Sequence, residues 1–357
     1  MAWEKVVIKR ENGEMVQAQA PVIISASRST DIPAFYSDWF FHRLNVGYSA
    51  WINPFNGVKS YISYEKTRFI VFWSKNPAPL IPHLSELNNR NIGCYIQYSL
   101  NDYTNDNLEN GIRASVNKRI ETFKKLVDIL GVGRVIWRFD PLILTDNIPP
   151  DLLLKRIQYI GDQLKGYTEK LVFSYVDISQ YQKVKRNLKF AGVNYREWTP
   201  ELMHHFAQQL VEVNKHWGYQ LATCGEKIDL NQYGIKHNHC VDDDLMIRFC
   251  HKDAELMNFL GVSVQGVVQE DLFGNSQLPK GSIPITDILY AEKMKNNKDK
   301  GQREFCGCMV SKDIGQYNTC PHKCEYCYAN ASKDLALNNW KRHKANPFAE
   351  TITGEDE

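Results

Sequence analysis

The feature that most constrains the fold is an alternation of short apolar runs with amphipathic stretches between residues 22 and 224. Val22-Ile-Ile-Ser-Ala26 is a continuous run of the kind expected of a strand buried on both faces. It empties into Ser27-Arg-Ser-Thr-Asp31-Ile-Pro33, after which Phe35, Trp39, Phe40 and Leu44 fall at spacings that share one helix face. Further strands are expected at 47–52, 69–74, 93–99, 134–139, 170–176 and 219–224, and helices at 79–89, 108–129, 150–165 and 198–217. Such alternation predicts an α/β fold with a parallel sheet, partly or fully closed into a β/α barrel. No repeat of fixed period accompanies it.

Four parts follow along the chain. Residues 1–20 hold two short segments around Glu11-Asn-Gly-Glu14, a hairpin signal, expected to cover the bottom of the barrel. Residues 21–300 form the barrel, 301–345 a cysteine-rich segment packing on it, and 346–357 a flexible tail. Across the boundary of the second and third parts, 290–303 is charged and reads as a solvated loop or frayed helix, with a phosphate-contacting strip as its functional alternative, helped by Lys183, Lys185 and Arg186. Hydrophobic residues make up 43% and charged residues 24%, ordinary for a globular chain, and a net charge of +2 gives no bulk argument for a nucleic-acid partner. No apolar run approaches the roughly 18 residues of a membrane span, and the N-terminus lacks a signal core, so a cytoplasmic protein is expected.

In β/α barrels function gathers where strands end on the C-terminal face. The polar residues at those exits are Arg28 and Asp31, Asn53, Lys75 and Asn76, Gln97, Arg138 and Asp140, Asp177, and Glu226. A buried strand gains nothing from ending in a charge unless solvent or a ligand meets it there. The plainer alternative is that these ends meet water, or that Arg138 and Asp140 pair structurally.

Nine cysteines, concentrated in the last third, point to metal chemistry in a reducing compartment more than to a disulfide framework. Cys320, Cys324 and Cys327 fall within eight residues, with Tyr326 before the third. Thiolates suit iron–sulfur clusters and zinc. Three of them holding a four-iron four-sulfur cluster leave one iron without a protein ligand, whereas a structural zinc site is closed and would have to recruit Cys306 or Cys308. Cys224, Cys240, Cys306 and Cys308 are candidates for a second cluster or a zinc site, with His237 and His239 as weaker substitutes. Cys94 and Cys250 read as core thiols.

The loop Cys320-Pro-His-Lys-Cys-Glu-Tyr-Cys327 resembles the cluster loop of the radical S-adenosylmethionine (SAM) superfamily. The wider set Ser25–Pro33, Ile136-Trp-Arg-Phe-Asp-Pro141, Cys306-Gly-Cys308, Ser311–Tyr317 and Cys327-Tyr-Ala329 resembles a bacterial family known as a domain of unknown function, whose radical-SAM-like cysteines lie at the C-terminus. This resemblance implies a 4Fe-4S cluster on Cys320, Cys324 and Cys327, SAM on its open iron, and reductive cleavage to a 5′-deoxyadenosyl radical. It implies that Tyr326 walls the adenine, that Tyr328, Asn76 and Gln97 line the cofactor, and that Arg28, Asp31, Lys75, Arg138, Asp140 and Glu226 orient SAM or substrate as catalytic candidates. It also implies an electron donor such as flavodoxin or ferredoxin. Because the superfamily places its cluster loop after the first strand, a cluster loop at the end implies a circular permutation: a strand near 305–318 beside the strand at 22–26, then a helix at 331–343. The resemblance then implies that Ser25–Asp31 takes the place of the superfamily's glycine-rich motif, with Asp31 the candidate for the SAM ammonium.

The substrate stays unknown. The loop is similar to that of spore photoproduct lyase, which makes nucleic-acid lesion repair one option beside peptide, nucleoside or small-molecule modification. Two other classes are a noncatalytic iron–sulfur protein for electron transfer or redox sensing, and a zinc-stabilised nucleic-acid-binding module.

Overall fold

A computed structural model describes residues 3–53, 56–266 and 278–355. Its centre is an eight-stranded sheet of β1 (Ile23–Ala26), β2 (Phe69–Ser74), β3 (Gly93–Ser99), β4 (Val135–Leu142), β5 (Lys170–Tyr175), β6 (Gln220–Thr223), β7 (Lys236–His237) and β8 (Lys312–Asp313). The spatial order is β7-β6-β5-β4-β3-β2-β1-β8, and every neighbouring pair is parallel. The last strand of this sheet in chain order therefore lies beside its first, with Lys312 opposite Ile24 and Asp313 opposite Ser25. The sheet runs from edge β7 to edge β8, and among the described residues no strand pairing joins the two. The flanking chain does meet: the Met309 amide donates to the Val241 carbonyl at 3.0 Å.

Both faces of the sheet are covered, as parallel strands require. One face presents Ile24, Ile70, Phe72, Ile96, Trp137 and Phe173 to the apolar sides of helices Ser37–Val46, Val116–Leu130, Pro150–Leu164 and Pro200–Asn214. These helices start on defined signals: Ser115 Oγ accepts from the Lys118 amide, and Thr199 Oγ1 accepts from the Leu202 amide just ahead of Pro200 at the first helical position. The other face presents Ile23, Phe69, Val71, Tyr95, Ile136 and Val172 to Met246, Ile247, Leu256 and Leu260 of helices Asp243–Cys250 and Ala254–Leu260. A three-stranded antiparallel sheet of Val262–Gly266, Leu289–Lys293 and Ile283–Thr286 completes this cover. At about 1.5–3 kcal/mol for each large apolar side chain removed from water, these two faces carry the stability of the body.

Several expectations need correction. The strand at Tyr48–Ile52 belongs to a separate four-stranded sheet with the hairpin strands Lys5–Lys9 and Met15–Gln19 and with Lys59–Ser63. It pairs antiparallel with Lys59–Ser63 through a short connection that leaves no room for a crossover helix. The helix expected from residue 108 starts at Val116, and Leu108–Ile112 is non-helical. Part of 290–303 is strand, because Leu289–Lys293 is the central member of the three-stranded sheet.

The C-terminal stretch is packed where a flexible tail was expected. Ala349, Glu350, Thr351, Ile352 and Thr353 are buried. The Ala50 amide donates to the Glu350 carbonyl at 2.8 Å, and Trp39 Nε1 donates to the Ala349 carbonyl at 2.9 Å. The Glu350 carboxylate accepts from half-buried Arg10 and buried Tyr48, so an acidic stretch is drawn in by these donors. Residues 356–357 of the expected tail and 1–2 of the hairpin lie outside the described residues. No helix among the described residues is long and apolar enough to cross a membrane.

Candidate functional site

The cysteine triplet sits on the loop between β8 and the helix Lys333–Ala345, at the C-terminal ends of the parallel strands. Backbone bonds from distant segments pin the loop. The Gly111 amide donates to the His322 carbonyl at 2.7 Å, the Glu325 amide to the Leu108 carbonyl at 3.0 Å, and Asn330 Nδ2 to the Cys320 carbonyl at 2.7 Å. Gly111 has to be glycine, since a Cβ there would overlap the His322 backbone. The Tyr36 hydroxyl donates to the Thr319 carbonyl at 2.5 Å. Burial pushes the Cys320 and Cys324 thiols up; Asp31 and the sister thiols add to this at Cys320, whereas Lys75 opposes it at Cys324.

Asp31 is fully engaged at the exit of β1. Its Oδ1 caps Ala34, and its Oδ2 accepts from the Lys75 amide at 2.8 Å and lies 2.7 Å from His322 Nε2. One carboxylate thus joins the exits of β1 and β2 to the cysteine loop, a positioning role. Arg28 donates its amide to Asp313 Oδ2 at 2.8 Å and its guanidinium to Ser311 Oγ at 3.0 Å, over the Trp73 ring. Tyr328 is exposed and donates its hydroxyl to the Arg28 carbonyl at 2.8 Å. Asn76 is half-buried and donates its amide to Ser74 Oγ.

Lys75 Nζ donates to Glu109 Oε1 at 2.9 Å and to the Tyr326 hydroxyl at 2.8 Å. Glu109 is fully buried and also meets Tyr326, Asn101 and, more distantly, Arg119. Burial works against its charge, yet Lys75 and Arg119 outweigh burial and hold the carboxyl down at about 2. Tyr326 therefore stands in the site by both ends, its ring next to Cys327 in sequence and its hydroxyl locked in an ionic cluster. Glu109, Asn101, Arg119 and His322 escape sequence reasoning. Only His322 carried a signal, its place inside the cysteine loop.

Most of the remaining expected residues gather at a second centre, whereas Asn53 follows the strand Tyr48–Ile52 of the four-stranded sheet and Asp177 accepts from the Ser179 hydroxyl after β5. Arg138 donates to Gln97 Oε1 at 3.1 Å, to Cys240 Sγ at 3.0 Å, and to Asp140, which also accepts from Ser174. Gln97 Nε2 donates to the Cys240 carbonyl at 2.9 Å, so Gln97 faces this group of cysteines. Cys224 Sγ lies 3.4 Å from Cys240 Sγ, and Cys308 is within hydrogen-bonding reach of both Cys240 and Cys306. Glu226 accepts from the Tyr175 amide at 2.9 Å, and burial lifts its carboxyl to about 7. Asn101 connects the two centres, bonding Tyr326 and Glu109 on one side and the Asp140 backbone on the other.

A family model described as a domain of unknown function (DUF1848) matches residues 23–329, from β1 through the cysteine triplet. No curated protein and no solved structure matches the chain.

Proposed function

The chain belongs to the family described as a domain of unknown function, DUF1848, and from that premise and its site we propose that it is a radical SAM enzyme. The observation that carries the proposal is a loop of three clustered thiols at the C-terminal ends of a parallel sheet, beside the first strand. The donor set fits a 4Fe-4S cluster. Three soft ligands come from one short loop, and polar atoms with no protein partner remain buried in that segment: His322 Nδ1 and Asn330 Oδ1. When bound, such a cluster supplies one electron to the sulfonium of SAM, the source of a 5′-deoxyadenosyl radical.

The chain's own residues do the positioning. Asp31 and His322 fix the loop against β1, while Lys75 and Glu109 immobilise the Tyr326 ring beside the last ligand. We read the unit β8–loop–helix, followed in space by β1, as a radical SAM β/α barrel that is partial and circularly permuted. The exposed basic side chains Lys185, Arg186 and Lys189 of helix Gln182–Phe190 support an anionic substrate such as nucleic acid, since Lys183 Nζ of the same helix reaches the Tyr328 carbonyl at 3.3 Å.

Anaerobic reconstitution followed by electron paramagnetic resonance tests the reading. Addition of SAM to the dithionite-reduced protein is expected to shift the cluster signal, and alanine at Cys320, Cys324 or Cys327 to abolish it. A reduced cluster whose spectrum ignores SAM would support a noncatalytic electron carrier instead, and zinc without iron a nucleic-acid-binding module.

A further inference from the structure

The second group of cysteines carries an inference that does not depend on the triplet. Cys224 follows β6, Cys240 follows β7, and Cys306 and Cys308 lie on the approach to β8. Those strands belong to opposite edges of the sheet, yet the sulfur contacts run on from Cys224 to Cys240 to Cys308 to Cys306. The close approach is built in: Gly307 packs under His239 so tightly that a Cβ would overlap the imidazole.

Four donors point at two of these sulfurs. Cys240 Sγ accepts from Arg138 at 3.0 Å and from Asn238 Nδ2 at 3.2 Å, while Cys308 Sγ faces the amides of Cys240 at 3.2 Å and Val241 at 3.4 Å. A neutral thiol is a weak acceptor, whereas a thiolate makes full use of such donors. Three guanidinium groups share the surroundings: Arg138 acts on Cys224 and Cys240, Arg28 on Cys240 and Cys308, and Arg303 on Cys224 and Cys306. Arg138 is only 4% exposed, and a buried cation beside sulfur is tolerable when the sulfur is anionic.

We infer that Cys224, Cys240, Cys306 and Cys308 form a closed, all-thiolate metal centre, separate from the triplet. Its shared chemistry is four soft anionic ligands, and because no three of the sulfurs lie within 4.8 Å of one another their spread suits one four-iron cluster better than one zinc ion. A centre ligated on four sides has no open position for a substrate. Its role is to clasp the two sheet edges.

The test uses the full-length chain carrying Cys320→Ala, Cys324→Ala and Cys327→Ala, which removes the first site whatever it binds. Metal analysis on the monodisperse fraction, after expression with zinc or reconstitution with iron and sulfide, is expected to find about one zinc or about four irons per chain. Adding Cys306→Ser with Cys308→Ser is expected to lower that content at least tenfold, while Cys94→Ser leaves it unchanged. Should the triple variant fail to fold, the same Cys306/Cys308 substitutions in the otherwise unaltered chain are expected to remove that same increment from the total. Zinc or iron in that amount supports the centre and tells its occupant. Neither metal in the triple variant, or no loss on removing Cys306 and Cys308, overturns it.

Discussion

His322 Nε2 lies 2.7 Å from Asp31 Oδ2, joining the middle of the cysteine loop to the exit of the first strand across 291 residues of chain. The same carboxylate caps Ala34 and holds the Lys75 amide. Asp31→Ala leaves three buried or half-buried donors without their acceptor, so the free energy of unfolding is expected to fall by about 2–4 kcal/mol. Denaturant titration measures it. An unchanged midpoint would show that the loop is held by other contacts.

Glu109 answers the charges of Lys75 and Arg119 from a fully buried position. Glu109→Gln strands those cations and is expected to cost about 3–5 kcal/mol. Removing Lys75 as well, in the pair Glu109→Gln with Lys75→Met, is expected to return part of that loss. A double-mutant cycle by thermal unfolding separates this ionic coupling from simple packing.

His343 is buried against Tyr36 and Trp340, and burial lowers its pKa to about 4 although a hydrogen bond with the Ile352 backbone works the other way. The unfolded chain takes up a proton near the ordinary value of 6.5, which the folded chain refuses until about pH 4. Stability is therefore expected to decline as pH falls from 6.5 toward 4 and to level off below, by on the order of 3 kcal/mol from this residue. His343→Phe, compared with the parent chain at pH 7 and pH 5, is expected to flatten that slope.

Glu350 accepts from Arg10 Nε at 2.9 Å and from the Tyr48 hydroxyl at 2.8 Å, closing the C-terminus onto the four-stranded sheet. Truncation before Ala349 exposes Trp39 and removes the acceptor that Arg10 and Tyr48 share. A melting temperature lowered by several degrees is the expected outcome; a free tail would leave it unchanged.

Much of the main sheet was legible in the chain because strands buried on both faces read as nearly unbroken apolar runs, as Phe69–Ser74 does. Tyr48–Ile52 looks the same locally, and only its antiparallel return to Lys59–Ser63 reveals its different sheet. The expected neighbourhood of the final strand and Val22–Ala26 appears as the pairing of Lys312 with Ile24. At the site, clustered cysteines announce themselves by spacing, but Glu109 does not. It sits in a segment whose pattern resembles the start of a helix, and its partners are drawn from Lys75, Asn101, Arg119 and Tyr326, positions that sequence proximity does not connect. Acidic residues near the C-terminus suggested solvent because Arg10 and Tyr48, which donate to Glu350, lie more than 300 residues away.

Quantifying 5′-deoxyadenosine after incubating the anaerobically reconstituted chain with SAM and dithionite tests the central claim most directly. The account predicts that the nucleoside forms with the parent chain and is absent when Cys320, Cys324 and Cys327 are replaced by alanine. A chain loaded with iron and sulfide that yields none, or yields as much without the three thiols, would contradict it.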